Sequence, residues 1–322
     1  MEVALSRIGD ELRRVELQFK KDLESNVPLI RKVGEYVLAS GGKRIRPALL
    51  LLSAKLCGYQ GERHIPLASV IEFIHTATLL HDDVVDNASL RRGLASANTL
   101  WGNEASVLVG DFLFSKSFSL MVADGDLRVL QVISDATTVI AEGEVLELVC
   151  TSDISMTEER YVEVIKCKTA VLLAAACEAG AILGGVTPDK QAALRDFGMA
   201  LGIAFQLMDD TLDYVASEEQ FGKFIGQDLV EGKVTLPLIH TLKQCTPTER
   251  EVIGTIITQE TLENGDIQAV FGLVNRYGGI DCSVAAAQRY IDQAKSYLVA
   301  FADSPDKQAL LQLADYVVIR ER

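Results

Sequence analysis

Two stretches of the sequence share one acidic spacing. In "HDDVVD" the residues Asp82, Asp83 and Asp86 fall within a single helical turn and a half, and "MDDTLDY" repeats the pattern with Asp209, Asp210 and Asp213. On a helix the fourth residue returns to nearly the same face, so Asp82 and Asp86 point one way with Asp83 on the adjacent flank. Like charges at that spacing repel by about 0.2–0.5 kcal/mol per pair when exposed, and by more when buried. A single cluster of this kind is usually a solvated helix end. Two of them at identical spacing, each closing an apolar helix, call for a cation. Oxygen donors with no Cys or His at ligand spacing suit Mg²⁺ better than zinc or copper. Magnesium takes a few carboxylates and completes its octahedron with water and phosphate oxygens, which implies a phosphorylated substrate.

The cations fit that chemistry. "SGGKRIRP" sets Lys43, Arg44 and Arg46 beside the flexible Gly41-Gly42 pair, and Arg91-Arg92 follow the first aspartate cluster directly. "FGKFIGQDLVEGKVTLP" places Lys223 and Lys233 after the second cluster. Guanidinium groups take phosphate in bidentate fashion, and lysine supplies a mobile point charge. Any one of these residues alone is an ordinary surface charge. Together they describe an anion held between cations and carboxylate-bound metal.

Helices must position these groups. Apolar residues recur at three and four in "LASVIEFIHTATLLHDDVVD", "RDFGMALGIAFQLMDDTLDY" and "AAAQRYIDQAKSYLVAFAD". No proline occurs between Pro66 and Pro188, which permits long helices in mid-chain. We find no convincing alternating strand, so the sequence predicts an all-α bundle. If the two motif helices face each other, their carboxylates converge on one central cavity. Gly/Pro breaks punctuate the chain but no linker divides it, and a single domain over 1–322 is expected, with 1–30 as an N-terminal helical segment and 31–322 as the catalytic core. A net charge of −14 argues against general nucleic-acid binding and against tight docking on anionic lipid. "TAVLLAAACEAGAILGGV", broken by Glu178 and carrying Gly180 and Gly184 at GxxxG spacing, reads as a buried central helix rather than a membrane span. Six cysteines without a CxxC pair, and a charged N-terminus without a signal-peptide core, suit the reducing cytoplasm.

At this point the sequence resembles the trans-type isoprenyl diphosphate synthases. The resemblance rests on "GGKRIRP", "HDDVVDNASLRRG", Gly143-Glu144, Lys168 to Ala170, "FQLMDDTLD" and "GQDLVEGKVTLPL", in order from about Gly41 onward. Among them it is most similar to the bacterial long-chain all-trans enzymes that make octaprenyl or similar quinone side chains. The resemblance implies a Mg²⁺-dependent prenyltransferase and homodimer. Lys43, Arg46, His75 and Arg92 would hold isopentenyl diphosphate. Asp82, Asp86 and Asp209 would bind the metal on the allylic diphosphate, supported by Asp83, Asp210 and Asp213. Arg91, Lys168, Thr169, Gln206, Lys223 and Lys233 would line the allylic site. Two departures stand out: Glu147 replaces a usual glutamine, and Phe224 follows Lys223 where proline or asparagine is commoner.

Three rivals are weaker. Glu72 and His75 form an ExxH like those of di-iron bundles, but none of the other histidines has a glutamate at that offset. A terpene cyclase would not need the second DDxxD, and a non-catalytic subunit of a heteromeric synthase would tend to lose aspartates. For product length, the family places an aromatic at the fifth position before the first aspartate when products are short. Ala77 stands there, with Thr78 one turn below Asp82, so the tail channel is expected to be open, with a floor deeper down near Phe118 or Met121. Octaprenyl is the expected product, with heptaprenyl to decaprenyl and a shorter geranylgeranyl as alternatives, and farnesyl diphosphate is the expected primer.

Overall fold

A computed structural model describes residues 5–215, 226–259 and 261–319. The helices are α1 (Gly9–Asp22), α2 (Pro28–Ala39), α3 (Ile45–Leu56), α4 (His64–Val85), α5 (Ala97–Trp101), α6 (Asn103–Asp124), α7 (Leu127–Cys150) and α8 (Glu158–Ile165). A π-helical turn (Lys166–Ala170) then leads into α9 (Val171–Leu183), followed by α10 (Pro188–Leu212), α11 (Gln227–Val230), α12 (Leu236–Gln244), α13 (Pro247–Ile257), α14 (Asn264–Arg276), α15 (Gly279–Tyr297) and α16 (Pro305–Ile319). The all-α expectation holds. One correction is needed: β1 (Leu90–Arg91) and β2 (Leu94–Ala95) form a two-stranded antiparallel hairpin. Its tip, Arg92-Gly93, has positive φ at both residues, the geometry that joins two strands through a two-residue turn. Strands of two residues are too short to show alternation in sequence.

The chain forms two compact units. The first comprises Met1–Thr137, Leu172–Gly198 and Tyr297–Leu313. Here α4 is the central helix, packed along α6, α1 and α3. Phe19 of α1 meets Phe73 of α4 with ring centroids 4.2 Å apart, and both are fully buried, each worth about 1.5–3 kcal/mol of burial. Val15 and Phe19 are the i, i+4 pair that turns α1 onto this core. The α9 helix is apolar all round and buried almost throughout, as its sequence predicts. Its glycine, Gly180, serves close packing on α3, where a Cβ would lie 2.6 Å from the Leu50 carbonyl oxygen, and just past the two helix ends a Cβ at Gly184 would collide with Cys57.

The second unit comprises Thr138–Val171, Met199–Ser296 and Ala314–Arg322. Its organising feature is the π-helical turn. A Cβ on Gly143 of α7 would sit 2.7 Å from Cys167 Cβ and 2.8 Å from the Lys168 backbone nitrogen. A Cβ on Gly202 of α10 would sit 2.5 Å from Ala170 Cα. Glycines on two helices thus admit the backbone of the turn from both flanks, and π-turns of this kind concentrate at functional sites.

Candidate active site

In the first unit, α4 ends in the first aspartate cluster. Asp82 and Asp86 are half-buried and one turn apart, with the Asp86 N–H donating to the Asp82 carbonyl at 2.8 Å. Asp83 is 1% exposed and accepts from Arg91 Nε at 2.5 Å, while the Asn98 amide donates to its carbonyl oxygen at 3.0 Å. Burial raises the Asp83 carboxyl and Arg91 opposes that rise. The middle aspartate therefore anchors the hairpin, leaving the outer two on the more accessible face.

The hairpin and the "GGKRIRP" turn bring the arginines together. The Arg92 guanidinium lies against Gly42, whose φ of +147° and lack of a Cβ admit it: a Cβ there would be 3.0 Å from an Arg92 terminal nitrogen. Arg46 meets the His75 Nε2 at 3.1 Å. Burial, and the field of Arg46, Arg92, Arg91 and Arg44, hold the His75 imidazole well below its ordinary pKa. It is neutral, and because arginine only donates, its Nε2 is the acceptor and Nδ1 carries the proton. Arg44 is structural: it donates to the Leu38 carbonyl at 2.9 Å and pairs with Glu16 at 3.3 Å and Glu72 at 3.5 Å. Glu72 is buried, its carboxyl raised by desolvation against the pull of the same arginines. The ExxH pair is thus occupied by arginines, which is unsuited to iron. Lys43 is exposed at the rim.

Ala77 is fully buried in the apolar cluster containing Phe19, Phe73, Leu80 and Leu113, and the Thr78 hydroxyl turns back to donate to the His75 carbonyl at 2.8 Å. Phe118 is half-buried and Met121 buried on α6.

In the second unit, a buried chain of hydrogen bonds runs from the π-turn to the second cluster. The Thr169 hydroxyl donates to Gln206 Oε1 at 2.8 Å, Gln206 Nε2 donates to Asp210 at 2.6 Å, and the Tyr161 hydroxyl donates to the other Asp210 oxygen at 2.5 Å. Desolvation pushes the Asp210 carboxyl up to about 7 despite those donors. Asp209 is exposed on the same turn of α10, and Asp213 accepts from the Asp228 backbone N–H at 3.0 Å. Asp228 is held well above its ordinary range by burial and by Asp210 and Asp213. Lys168 donates to Glu144 at 2.9 Å and Glu147 at 2.5 Å, and Lys233 pairs with Glu231 at 2.5 Å. Lys168, Thr169, Gln206, Asp210, Asp228 and Lys233 border a cavity of about 90 Å³, the space of a few waters rather than a prenyl tail. Lys223 and Phe224 lie outside the described residues.

Sequence reasoning missed Tyr161 and Asp228 as partners of the second cluster. Asp228 sits in a quoted motif, but nothing in its spacing reveals that it folds back on Asp213. Tyr161 carries no motif at all. Among the described residues no three acidic, His or Cys side chains gather as a ready-made metal cage. The oxygen-only donors fit magnesium, which needs only one or two carboxylates when phosphate oxygens complete its shell.

The chain matches the polyprenyl synthetase family over residues 27–274. It belongs to that family and is a prenyltransferase. It is 46% identical to the octaprenyl diphosphate synthase of Escherichia coli (strain K12) over 316 residues, 98% of this chain and 97% of that one. Among solved structures it is similar to a decaprenyl diphosphate synthase from Rhodobacter capsulatus (TM-score 0.94, 42% identity, 99% and 98% of the two chains). A polyprenyl synthase from Caulobacter crescentus, complexed with calcium and isoprenyl diphosphate, is equally similar (TM-score 0.95, 41% identity, 99% and 97%).

Proposed function

We propose that the protein is a Mg²⁺-dependent all-trans long-chain polyprenyl diphosphate synthase. It condenses isopentenyl diphosphate onto an allylic primer, farnesyl diphosphate, to give octaprenyl diphosphate for a quinone side chain. The observation that carries this reading is the repeated cluster in which the middle aspartate is buried and bonded, Asp83 to Arg91 and Asp210 to Tyr161 and Gln206. Each middle residue braces its turn, and the metal is assigned to Asp82, Asp86 and Asp209. When bound, the metal withdraws charge from the departing pyrophosphate as a Lewis acid. The chain's own part is to supply donors to that developing charge, a role we assign to Arg91, Lys168, Thr169, Gln206, Lys223 and Lys233, with Asp213 bracing α11 ahead of Lys233. Arg46, Arg92, Lys43 and the Nδ1 proton of neutral His75 hold isopentenyl diphosphate, whose double bond attacks the allylic carbon. Released pyrophosphate takes the proton.

The whole chain works as one catalytic domain, since the divisions between its two units at Thr137/Thr138, Val171/Leu172 and Gly198/Met199 fall inside or between contiguous helical segments rather than in linkers. It functions in the cytoplasm. By length and composition α6 could cross a membrane, but Val109, Leu113 and Met121 are buried on its inner face and it packs along α4. A second copy of the chain covers the apolar residues left exposed on α6 (Val107, Leu108 and Val122) and on α7 (Val145, Leu148 and Val149).

The test incubates purified protein with labelled isopentenyl diphosphate, each allylic primer in turn and Mg²⁺, and resolves the products by length. Extension to about eight isoprene units is expected on the reading that Ala77 opens the tail channel. No prenyl product with any primer would overturn the enzymatic reading in favour of a non-catalytic subunit.

A further inference from the structure

In the second unit, the described lysines assigned to the allylic diphosphate are already matched by carboxylates. Lys233 is paired with Glu231. Lys168 is matched twice, by Glu144 at 2.9 Å and Glu147 at 2.5 Å, so one positive charge faces two negative ones. All three side chains are largely shielded from solvent, where charges are weakly screened. Glu147 also borders the cavity beside Thr169, Gln206 and Asp210, and it stands where the resembling family usually carries an uncharged amide.

We propose that Glu147 makes capture of the allylic diphosphate conditional on metal, by holding Lys168 in a net-negative triad with Glu144 that repels the bare anion. The proposal rests on the assignment of Lys168 to the allylic diphosphate. Two of the three ammonium N–H donors are committed to carboxylates. A metal-free diphosphate approaching Lys168 must come alongside both of them, and like charges so placed oppose binding. A metal on the diphosphate offsets the anionic charge, and Lys168 can then exchange one carboxylate for a phosphate oxygen. Glu144 and Glu147 are three apart on α7, so they grip the ammonium from one helix face. A glutamine at 147 could still accept from Lys168 through its carbonyl oxygen while adding no charge. Glu147 is thus a positioning residue that acts through Lys168.

The test is calorimetric titration of the full chain with inorganic pyrophosphate, once in EDTA and once with Mg²⁺. Wild type is compared with Glu147→Gln, with Glu147→Ala as a second way of removing the charge, and with Glu142→Gln as a control. Glu142 is exposed on α7, so its loss changes net charge without touching Lys168. Binding at the arginine-rich locus of the first unit is common to all variants and cancels. In EDTA, both position-147 variants should bind about tenfold tighter than wild type, and Glu142→Gln should not. With Mg²⁺ the difference should shrink to about threefold or less. Equal metal-free affinity in wild type and both position-147 variants would overturn the proposal, as would an equal gain in Glu142→Gln. Elongation by wild type with Mg²⁺ is measured separately. Its failure would remove the functional assignment, whereas the metal-free comparison reads Glu147 alone.

Discussion

His75 shows how a single side chain is tuned by its neighbours. Crowded by arginines and desolvated, it is neutral in the folded protein, while in the unfolded chain it protonates near 6.5. Its folded pKa is depressed, so below about pH 6.5 the unfolded state binds the extra proton and stability falls with pH. His75→Gln should therefore lose less stability than wild type between pH 7.5 and pH 5, by up to about 1.4 kcal/mol per pH unit titrated, as read from urea midpoints. An identical slope in both would show that His75 is not held neutral. Ala77 offers a second test. It is wholly buried, and filling a closed core there with Ala77→Tyr would cost about 1–3 kcal/mol. If the side chain instead borders the tail channel, the variant should keep its stability and its catalysis and shift products toward farnesyl or geranylgeranyl diphosphate. A long product from a folded variant would place the tail elsewhere.

Among the elements, the π-turn between Gly143 and Gly202 bears most directly on the allylic site proposed above. A methyl group at Gly143 must displace the backbone at Cys167 and Lys168, which is not a flexible side-chain end. Gly143→Ala should destabilise the protein by about 1–3 kcal/mol and raise KM for the allylic substrate more than for isopentenyl diphosphate. Equal effects on the two substrates would separate the turn from the allylic site. Elements also mark the limit of sequence reasoning. Long helices without proline and the DDxxD spacings are local patterns, and the structure has α4, α9 and α10 where they predict helices, with an aspartate cluster closing α4 and another closing α10. The π-turn has no periodicity of its own, and the β1–β2 hairpin is too short to alternate. Tyr161 meets Asp210 only through tertiary folding, as Asp228 meets Asp213, so no spacing along the chain announces either. The basic motifs were legible as charges. Their division of labour was not: Arg44 holds Glu16, Glu72 and Leu38 while Arg46 meets His75.

For the whole molecule, association and catalysis can be tested separately. Leu108 is 66% exposed on α6, and on the proposed homodimer Leu108→Glu should shift the protein toward monomer by sedimentation equilibrium while leaving the fold intact. An unchanged dimer would place the interface elsewhere. In the function proposed above, both aspartate clusters serve one metal-dependent ionisation. Residues acting as a unit give non-additive losses, because the second deletion removes what the first has already disabled. The direct measurement is kcat/KM for wild type, Asp82→Ala, Asp209→Ala and the double variant, at saturating Mg²⁺ with isopentenyl and farnesyl diphosphates. Each single variant should lose about a hundredfold or more, equivalent to about 3 kcal/mol of transition-state stabilisation, and the double variant should be no more than about tenfold worse than either. Multiplicative losses, or near wild-type turnover in either single variant, would show that the two clusters do not serve one ionisation step.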